Sequence, residues 1–166
     1  MTPHPSTSAG TAGLRIRNFR AGDEAALRAV FHASIHGLAG RDYSPEQLNA
    51  WAPLDYDAAP WGERMRANQP FVAEIDGEVV GYADLQASGY IDHFFVAATH
   101  AGRGVGAALM AHIHQAAARG GITRLFADVS LRAEPFFSRH GFVLEARQQV
   151  ERRGVVLRNA RMYKLL

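Results

Sequence analysis

The chain contains no cysteine and a single lysine, Lys164, whereas its other seventeen basic side chains are arginines. The absence of cysteine excludes a disulfide framework and thiolate chemistry, and it is compatible with the cytoplasmic location that we predict. No apolar run approaches the roughly 18 residues of a membrane-spanning helix, so no membrane partner is predicted. Residues 1–12 lack the basic and apolar regions of a secretory signal. A formal net charge of +2 gives no reason to expect nucleic acid as a partner.

Length and composition predict one globular domain with one core. The chain has 166 residues, of which 48% are hydrophobic and 20% charged, as in ordinary single domains. Residues 1–12 are rich in Thr, Pro, Ser, Ala and Gly and are expected to form a flexible tail, which leaves 13–166 as the domain. From Arg119 onward there are ten Arg or Lys against four Asp or Glu. This basic excess indicates either an anionic ligand or a solvated basic surface.

Hydrophobic periodicity predicts a strand, three helical segments, three strands, a helix, a strand, a short helix and a final strand pair. Ser44-Pro45-Glu46-Gln47 has the pattern of a helix start with a capping box. Asp76-Gly77 indicates a hairpin turn. The order predicts an α/β (α+β) fold, a single domain with a central mixed, mostly antiparallel sheet of about seven strands and helices on both faces. Residues 90–129 should form a right-handed parallel strand–helix–strand crossover.

A glycine-rich turn joins the predicted strand Tyr90–Val96 to a predicted helix. The turn reads Gly102-Arg103-Gly104-Val105-Gly106, and the alanine-rich segment that begins at Ala107 follows it. Glycines let the backbone approach a ligand closely, and a helix N-terminus supplies unpaired N–H donors with a positive dipole end. The pattern therefore predicts a ligand that carries phosphate.

Two well-known phosphate motifs compete for this turn. A P-loop is excluded because no Lys-Ser/Thr pair follows the glycines. A dinucleotide site fits better, since Gly102-x-Gly104-x-x-Ala107 matches its fingerprint and Asp128 lies where a ribose-binding acid would be expected. However, the residues after Ala107 offer one strand–helix unit and an antiparallel pair, which are too few for a doubly wound sheet. A dinucleotide-binding oxidoreductase is therefore the less favoured alternative.

The whole domain resembles the GCN5-related N-acetyltransferase (GNAT) superfamily. Ala101-Gly102-Arg103-Gly104-Val105-Gly106 resembles that family's Gln/Arg-x-x-Gly-x-Gly/Ala loop, and the segment from Ser130 to Phe142 resembles its Asn-x-x-Ala-x-x-Leu-Tyr-x-x-x-Gly-Phe motif. Within the superfamily the chain looks most like the YafP-type bacterial acetyltransferases. The segments that support this are Arg41 to Ser44, Trp51-Ala52-Pro53, Tyr90 to Val96 and the ending with Asn159, Met162 and Lys164.

The resemblance implies acetyl-CoA as co-substrate and assigns residues to it. The strand end pairs with the pantetheine arm, the loop holds the pyrophosphate, and two residues of the second motif complete the site. The implied set is Phe94, Phe95, Val96, Ala101, Gly102, Arg103, Gly104, Val105, Gly106, Ala107, Ser130 and Phe137. Two positions depart from the family pattern. Ala101 replaces Gln or Arg, and Phe137 replaces the tyrosine that protonates the departing thiolate in many members. These departures motivate a second alternative, a non-catalytic acyl-CoA-binding module.

The family chemistry is direct attack of an amine on the thioester, for which a base and an acid are sought on nearby strands. Asp92 is the first candidate base, on the expectation that burial raises its pKa, although pairing with an arginine is an equal alternative. His93 has the better intrinsic pKa, but we expect its face to pack against a helix. Strand alternation should place Tyr90, Asp92, Phe94 and Val96 on one face. Tyr90 and Tyr163 are candidate acids.

Four aromatic residues of the first helical segments, Tyr43, Trp51, Tyr56 and Trp61, are candidates for the acceptor pocket or for simple core packing. They suggest a small, hydrophobic or aromatic amine as acceptor. His32 and His36 share one helix face, but the Glu of a zinc-protease motif is missing, and no metal is predicted. The sequence leaves open whether the protein forms a homodimer.

Overall fold

The computed structural model describes residues 13–166, and the predicted tail, residues 1–12, lies outside them. The described chain contains these helices and strands, in order: β1 Leu14–Asn18, α1 Glu24–Leu38, α2 Pro45–Trp51, α3 Ala58–Asn68, β2 Phe71–Ile75, β3 Glu78–Ala83, β4 Tyr90–Ile91, β5 Phe94–Val96, α4 Val105–Arg119, β6 Arg124–Ser130, α5 Glu134–Arg139, β7 Val143–Arg152 and β8 Val155–Leu165. A single 3₁₀ turn, Ala98–His100, precedes α4. In this part of the chain no helix is long and apolar enough to cross a membrane.

The strands form two four-stranded sheets, ordered β1-β2-β3-β5 and β4-β6-β8-β7. β4 pairs with β6 in parallel, and the other pairings are antiparallel. The parallel pair is joined through α4, as expected for the crossover between residues 90 and 129. The predicted mixed, mostly antiparallel architecture is therefore confirmed.

The segment 90–96, predicted as one strand, is two strands in different sheets. The break falls at Asp92-His93, where the backbone N–H of His93 donates to the Asp84 carboxylate at 2.6 Å instead of continuing a regular ladder. The backbone N–H of Asp84 in turn donates to the His93 carbonyl at 3.1 Å. A buried side chain thus interrupts the strand, and the chain passes from one sheet to the other at this point.

Local turn and cap chemistry behaves as the sequence predicts. Ser44 caps α2 by accepting from the Gln47 N–H, and the Gln47 side chain accepts from the Ser44 N–H, which completes the capping box with Pro45 in the first turn. The β2–β3 hairpin turns at Asp76-Gly77 with φ values of 51° and 81°. Both residues adopt the left-handed conformation that a two-residue turn of this type requires.

Helices cover both sides of the strands and enclose two apolar clusters. The first cluster packs α4 against the sheets and includes Leu109, Ile113, Leu125 and Met162, each at most 2% exposed. The second packs α1, α2 and α3 on the other side, and its buried members include Leu27, Ile35, Leu48, Met65 and Tyr82. The single lysine lies at the margin, where Lys164 Nζ donates to the His140 carbonyl and contacts His114 Nε2, both at 2.8 Å.

Candidate active site

The glycine turn opens a helix whose N-terminus has no side-chain cap. α4 begins at Val105, its N-cap residue Gly104 has φ 82°, and no acidic residue lies in its first turn. Gly102 also has a positive φ, 75°. A Cβ added at Gly106 would lie 3.1 Å from the Phe136 ring, so a side chain at this position would require that ring to move by a few tenths of an ångström. The first-turn amides are thus left for an anionic ligand.

A cavity of about 570 Å³ lies in front of this turn, and we call it the cofactor cavity. It is bounded by α1, β5, the glycine turn and α5. Ten residues that the sequence assigned to the cofactor line it, namely Phe94, Phe95, Val96, Ala101, Gly102, Gly104, Gly106, Ala107, Ser130 and Phe137.

Two assigned residues, Arg103 and Val105, do not line this cavity, and their assignment to the cofactor, which is through the backbone amides, stays a prediction. The Val105 side chain is 1% exposed and packs into the α4 cluster, because the first helical turn directs it inward. Arg103 is exposed on the outside of the turn. Only the backbone of these two positions remains available to a phosphate.

β5 presents a free strand edge to the cofactor cavity. It is the last strand of its sheet as described, with β3 on one side. The Ala97 N–H donates to the Val80 carbonyl of β3. Backbone direction alternates along a strand, so the N–H and C=O groups of Phe94 and Val96 point away from β3. A ligand can therefore pair with them as a further strand would.

The cofactor cavity is also lined by basic side chains that no sequence motif singled out. Arg132, Arg139, His100 and His140 line it. Burial, then His114 and nearby cations, lowers the pKa of His140. The two arginines belong to the basic excess after Arg119, which was the only sequence signal for them.

A second cavity, of about 430 Å³, lies on the α1–α3 side, and we call it the acceptor cavity. Its lining combines aromatic rings from the first helices with polar side chains from β4, β6 and the β7–β8 hairpin. All four aromatic residues proposed from the sequence line it, namely Tyr43, Trp51, Tyr56 and Trp61.

Two of these aromatics also have clear packing roles. The Tyr43 hydroxyl donates to the Arg158 carbonyl at 2.5 Å and accepts from the Leu131 N–H at 3.0 Å. The Trp61 indole N–H donates to the Glu24 carbonyl at 2.8 Å. These side chains thus have structural contacts and also line the cavity, and their role in binding an acceptor stays a prediction.

The two cavities meet at three residues, since Trp51, Phe95 and Ser130 line both. Phe95 follows the Asp92-His93 break, and Ser130 ends β6. The two cavities therefore adjoin at these residues, beside the point where β4 and β5 separate.

Asp92 lies on the wall of the acceptor cavity as an ion-paired carboxylate. Arg64 donates to both of its oxygens at 2.8 and 2.7 Å, and Asn68 donates at 2.8 Å. Burial acts to raise the pKa of Asp92. These hydrogen bonds and the electrostatic interaction with His93 act against burial and hold the pKa of Asp92 below its usual value. Of the two alternatives, the structure shows the pairing with an arginine, and the raised pKa is wrong because Arg64, His93 and Asn68 together outweigh burial.

His93 is 6% exposed and packs among aromatic rings, as expected for its face. Its ring centroid lies 5.7 Å from those of Phe31 and Trp61. Burial lowers the pKa of His93 to about 4, so the ring is neutral near pH 7. Its Nδ1 atom lies 2.8 Å from the Tyr82 hydroxyl, and its Nε2 atom lies 3.7 Å from Asp92.

The strand break also changes which residues share a face. Tyr90 and Asp92 line the acceptor cavity together with His93 and Phe95, whereas Phe94 packs against the α4 cluster. The expected common face of Tyr90, Asp92, Phe94 and Val96 is wrong, because regular alternation ends at residue 92.

The two candidate acids differ in position. Tyr90 lines the acceptor cavity, and its hydroxyl lies 3.5 Å from Asp128. Burial, followed by the Asp128 charge, raises the pKa of Tyr90, which keeps the phenol protonated. Tyr163 lines neither cavity, since it lies opposite Phe126 with the Arg124 guanidinium 5.0 Å from its ring. The assignment of Tyr163 to the site is therefore wrong.

Asp128 lies in the acceptor cavity rather than beside the glycine turn. It accepts two hydrogen bonds from Arg161, at 2.8 and 2.9 Å, and one from Gln148 at 2.8 Å. The Arg161 hydrogen bonds, against the opposing effect of burial, lower the pKa of Asp128. This placement contradicts the ribose-binding role that a dinucleotide site requires.

The histidine pair of α1 is engaged within the protein. The rings of His32 and His36 stack at 4.2 Å, and His36 Nε2 lies 2.7 Å from the Ala52 carbonyl. Among residues 13–166 no group of three or more His, Cys, Asp or Glu side chains is arranged to hold a metal ion.

Comparison with known proteins gives consistent matches. Residues 39–164 match the family model described as "Acetyltransferase (GNAT) domain". The chain is 35% identical over 146 residues to the uncharacterized N-acetyltransferase YafP of Escherichia coli K12, which covers 88% of this chain and 92% of that protein. A GCN5-related N-acetyltransferase from Rhodopseudomonas palustris, described as "Aminotransferase, Class-II", has a TM-score of 0.88 at 34% identity, covering 92% of this chain and 95% of its own.

A more distant structure shares the fold at low sequence identity. YncA of Salmonella typhimurium, solved with its cofactor acetyl-CoA, has a TM-score of 0.66 at 20% identity, covering 92% of this chain and 94% of its own. At this identity the similarity shows a common fold.

Proposed function

Because the chain belongs to the GNAT acetyltransferase family and is an acetyltransferase, we propose that it moves the acetyl group of acetyl-CoA to the amine of a small acceptor bound in the acceptor cavity. The family assignment removes the dinucleotide-binding oxidoreductase and the non-catalytic binding module as alternatives. A cytoplasmic location and a homodimer stay predictions.

The observation that carries the proposal is the junction of the two cavities at Trp51, Phe95 and Ser130. Acetyl transfer by direct attack requires the thioester and the amine to approach within about 3–3.5 Å before bonds change. A donor in one cavity and an acceptor in the other can satisfy this requirement only where the cavities are continuous. We propose that the separation of β4 and β5 at residue 92 provides that continuity, and the three shared lining residues support this.

The residues of the cofactor cavity fit coenzyme A chemically. The uncapped start of α4 offers backbone N–H donors to the pyrophosphate, and Arg132 and Arg139 add positive charge. The free edge of β5 offers the backbone of Phe94 and Val96 to the pantetheine amides. When bound, acetyl-CoA supplies an activated thioester whose carbonyl oxygen gains charge during attack, and a backbone N–H at this edge would stabilise that charge.

The acceptor cavity prepares the amine by position rather than by a strong base. Asp92 remains ionised through the neutral range because its pKa is lowered, and we propose that it orients the amine or a water molecule that takes its proton. His93 cannot accept that proton near pH 7, since burial lowers its pKa to about 4. Tyr90 retains its proton and is our candidate donor to the departing thiolate. Phe137 is 2% exposed and has no proton to give.

Two measurements test the proposal. Calorimetric titration should detect micromolar binding of acetyl-CoA and no binding of NADH or NADPH. Thiol release from acetyl-CoA should then depend on added amine in a screen of small primary amines. Binding of nicotinamide cofactors in place of acetyl-CoA would reject the assignment of the glycine turn, and thiol release with no amine dependence would reject the amine as acceptor.

A further inference from the structure

The acceptor cavity contains a buried arginine without a carboxylate partner. Arg28 is 8% exposed and lines this cavity from α1. Within residues 13–166 it takes part in none of the ion pairs, and its one hydrogen bond goes from Nη2 to the Pro53 carbonyl at 2.7 Å. Burial, the main cause, lowers the pKa of Arg28. A buried cation of this kind is costly unless something else compensates its charge.

The compensation inside the protein comes from aromatic rings. The Arg28 guanidinium carbon lies 4.1, 4.9 and 5.1 Å from the ring centroids of Tyr56, Phe31 and Trp61. Such contacts favour a cation, but they supply no oxygen acceptor, and within residues 13–166 the guanidinium donates only the hydrogen bond to Pro53. No fully buried polar side-chain atom in the described residues lacks a partner. The guanidinium nitrogens that have no partner must therefore reach the accessible surface of the cavity.

The acids of the cavity wall are already engaged. Asp57 accepts from the Ala59 N–H at the start of α3, Asp92 is paired with Arg64, and Asp128 is paired with Arg161. None of the three neutralises Arg28.

The β7–β8 hairpin adds more positive charge to the rim. Arg152, Arg153 and Arg158 line the cavity and are exposed. The Arg153 side chain donates to the Ala50 carbonyl, and Arg152 donates to its neighbour's carbonyl, so neither is neutralised by a carboxylate. Counted over the wall, five arginines face three aspartates. An anion would be attracted to this cavity and would find unused donors at Arg28.

We infer, on the basis of the proposed acetyltransferase function, that the acceptor is a small amine bearing a carboxylate, and that Arg28 binds this carboxylate while the amine lies at the junction of the two cavities. The Phe31 ring connects these two ends. Its centroid lies 4.9 Å from the Arg28 guanidinium carbon and 4.9 Å from the Phe95 ring centroid, so the two ends are separated by no more than twice that distance. Tyr56, Trp61 and Phe31 would contact the body of the acceptor.

The test compares amines that differ only in the carboxylate. Initial rates of thiol release are measured for 4-aminobenzoate against aniline and for phenylalanine against phenethylamine. We expect kcat/KM of the wild-type protein to favour the carboxylate-bearing member by about ten- to a hundredfold. Arg28→Gln should abolish this preference, so that within the variant kcat/KM for the carboxylate-bearing amine falls to the value for its uncharged partner. Arg66→Gln, on the exposed face of α3 outside both cavities, is the matched control and should keep the preference.

A second measurement covers the case in which Arg28→Gln perturbs folding or none of the amines is turned over. Binding of benzoate, with benzamide as the uncharged analogue, is measured by calorimetry in the presence of saturating coenzyme A. The wild-type protein should bind benzoate more tightly than benzamide. Arg158→Gln, which changes an exposed arginine of the cavity rim, should weaken the binding of benzoate and leave the binding of benzamide unchanged. Equal binding of benzoate and benzamide, or an unchanged preference in Arg28→Gln that still binds acetyl-CoA, overturns the inference.

These outcomes separate the two proposals. If acetyl-CoA binds and uncharged amines are acetylated without preference for a carboxylate, the inference fails and the proposed function holds. If acetyl-CoA does not bind, the proposed function itself fails.

Discussion

The Tyr82 hydroxyl lies 2.8 Å from Nδ1 of His93, with both side chains buried. Burial raises the pKa of Tyr82 well above its usual value, so the phenol remains protonated. The Asp92 carboxylate, 3.7 Å from Nε2, favours the tautomer with its proton on Nε2, in which Nδ1 accepts from the Tyr82 hydroxyl. This arrangement fixes the orientation of His93 beside the acceptor cavity, and it has a measurable effect on stability.

His93 and Asp84 should have opposing effects on stability in mild acid. Burial lowers the pKa of His93 to about 4, from 6.5, so the unfolded chain holds the extra proton between these values and stability rises with pH. Burial raises the pKa of Asp84 to about 6, from 3.8, so the folded chain holds the extra proton there and stability falls as pH rises. The contributions of these two groups to the free energy of unfolding should therefore largely cancel between pH 4 and 6.

Asp84→Asn should unmask the effect of His93. We expect its free energy of unfolding, measured by urea titration, to rise between pH 4 and 6 more steeply than that of the wild-type protein, by up to about 1.4 kcal/mol per pH unit. Asp55→Asn, which changes an exposed carboxylate, is the control and should follow the wild-type slope. Parallel slopes for Asp84→Asn and the wild-type protein would show that the pKa of Asp84 is not raised, and a flat curve for Asp84→Asn would show that the pKa of His93 is not lowered.

A negative charge at the start of α4 should weaken acetyl-CoA binding without weakening the fold. Ala107 is exposed in the first turn and lines the cofactor cavity. Ala107→Asp should raise the dissociation constant of acetyl-CoA about tenfold or more, while the helix dipole makes thermal stability equal or slightly higher. Ala118→Asp makes the same substitution at the exposed C-terminal end of α4 and is the control. It should bind acetyl-CoA with the affinity of the wild-type protein. Unchanged affinity in Ala107→Asp would place the phosphates elsewhere.

Asp92→Asn should reduce turnover far more than cofactor binding. We expect kcat to fall roughly 10- to 100-fold, because the amine or its proton-accepting water loses its orienting carboxylate, whereas the acetyl-CoA dissociation constant should change less than about twofold. Glu63→Gln, on the exposed surface of α3, is the charge-matched control. Equal losses in kcat and in acetyl-CoA affinity would indicate a structural role for Asp92.

The pH dependence of the reaction should follow the acceptor rather than Asp92. The pKa of Asp92 is lowered from its usual value, so this carboxylate does not titrate in the neutral range. The rise of kcat/KM with pH should therefore shift when one amine is replaced by another of different basicity. A rise that keeps the same midpoint for both amines would point to a group of the protein.

Tyr43→Phe should affect stability and leave chemistry nearly intact. Its hydroxyl joins β8 to the residue that follows β6, through the Arg158 carbonyl and the Leu131 N–H. Removing it leaves two backbone groups without this partner, at a cost of about 1–3 kcal/mol, measured by denaturant titration. Tyr56→Phe is the control, since its ring contact with Arg28 survives the change. A large fall in kcat for Tyr43→Phe at full stability would assign its hydroxyl to catalysis.

Much of the fold follows from local rules that the sequence displays directly. The capping box at Ser44, the Asp76-Gly77 hairpin and the glycine turn before α4 each depend on a few neighbouring residues. Their local conformation was therefore predictable. The cofactor cavity follows from these elements, because the turn and the strand before it form most of its wall.

Features that depend on distant side chains were not predictable in the same way. The break between β4 and β5 arises because Asp84, from the preceding strand segment, takes the N–H of His93. The lowered pKa of Asp92 depends on Arg64, which is 28 positions away in sequence. The alternation of residues within one strand does not reveal Asp84, and the expected burial of Asp92 does not reveal Arg64. Tyr163 likewise lies on a correctly predicted strand, but its distance from the cavities depends on how the sheets are placed.

The single lysine has a consequence for a protein that concentrates a reactive thioester. Any unprotonated primary amine on its own surface could be acylated by the bound donor, whereas guanidinium groups stay protonated and do not react in this way. Lys164, the one side-chain amine in the chain, is held between the His140 carbonyl and His114 Nε2. The arginine-rich surface therefore carries positive charge with little exposure to self-acylation, and prolonged incubation with acetyl-CoA should leave the side chains of residues 13–166 unmodified.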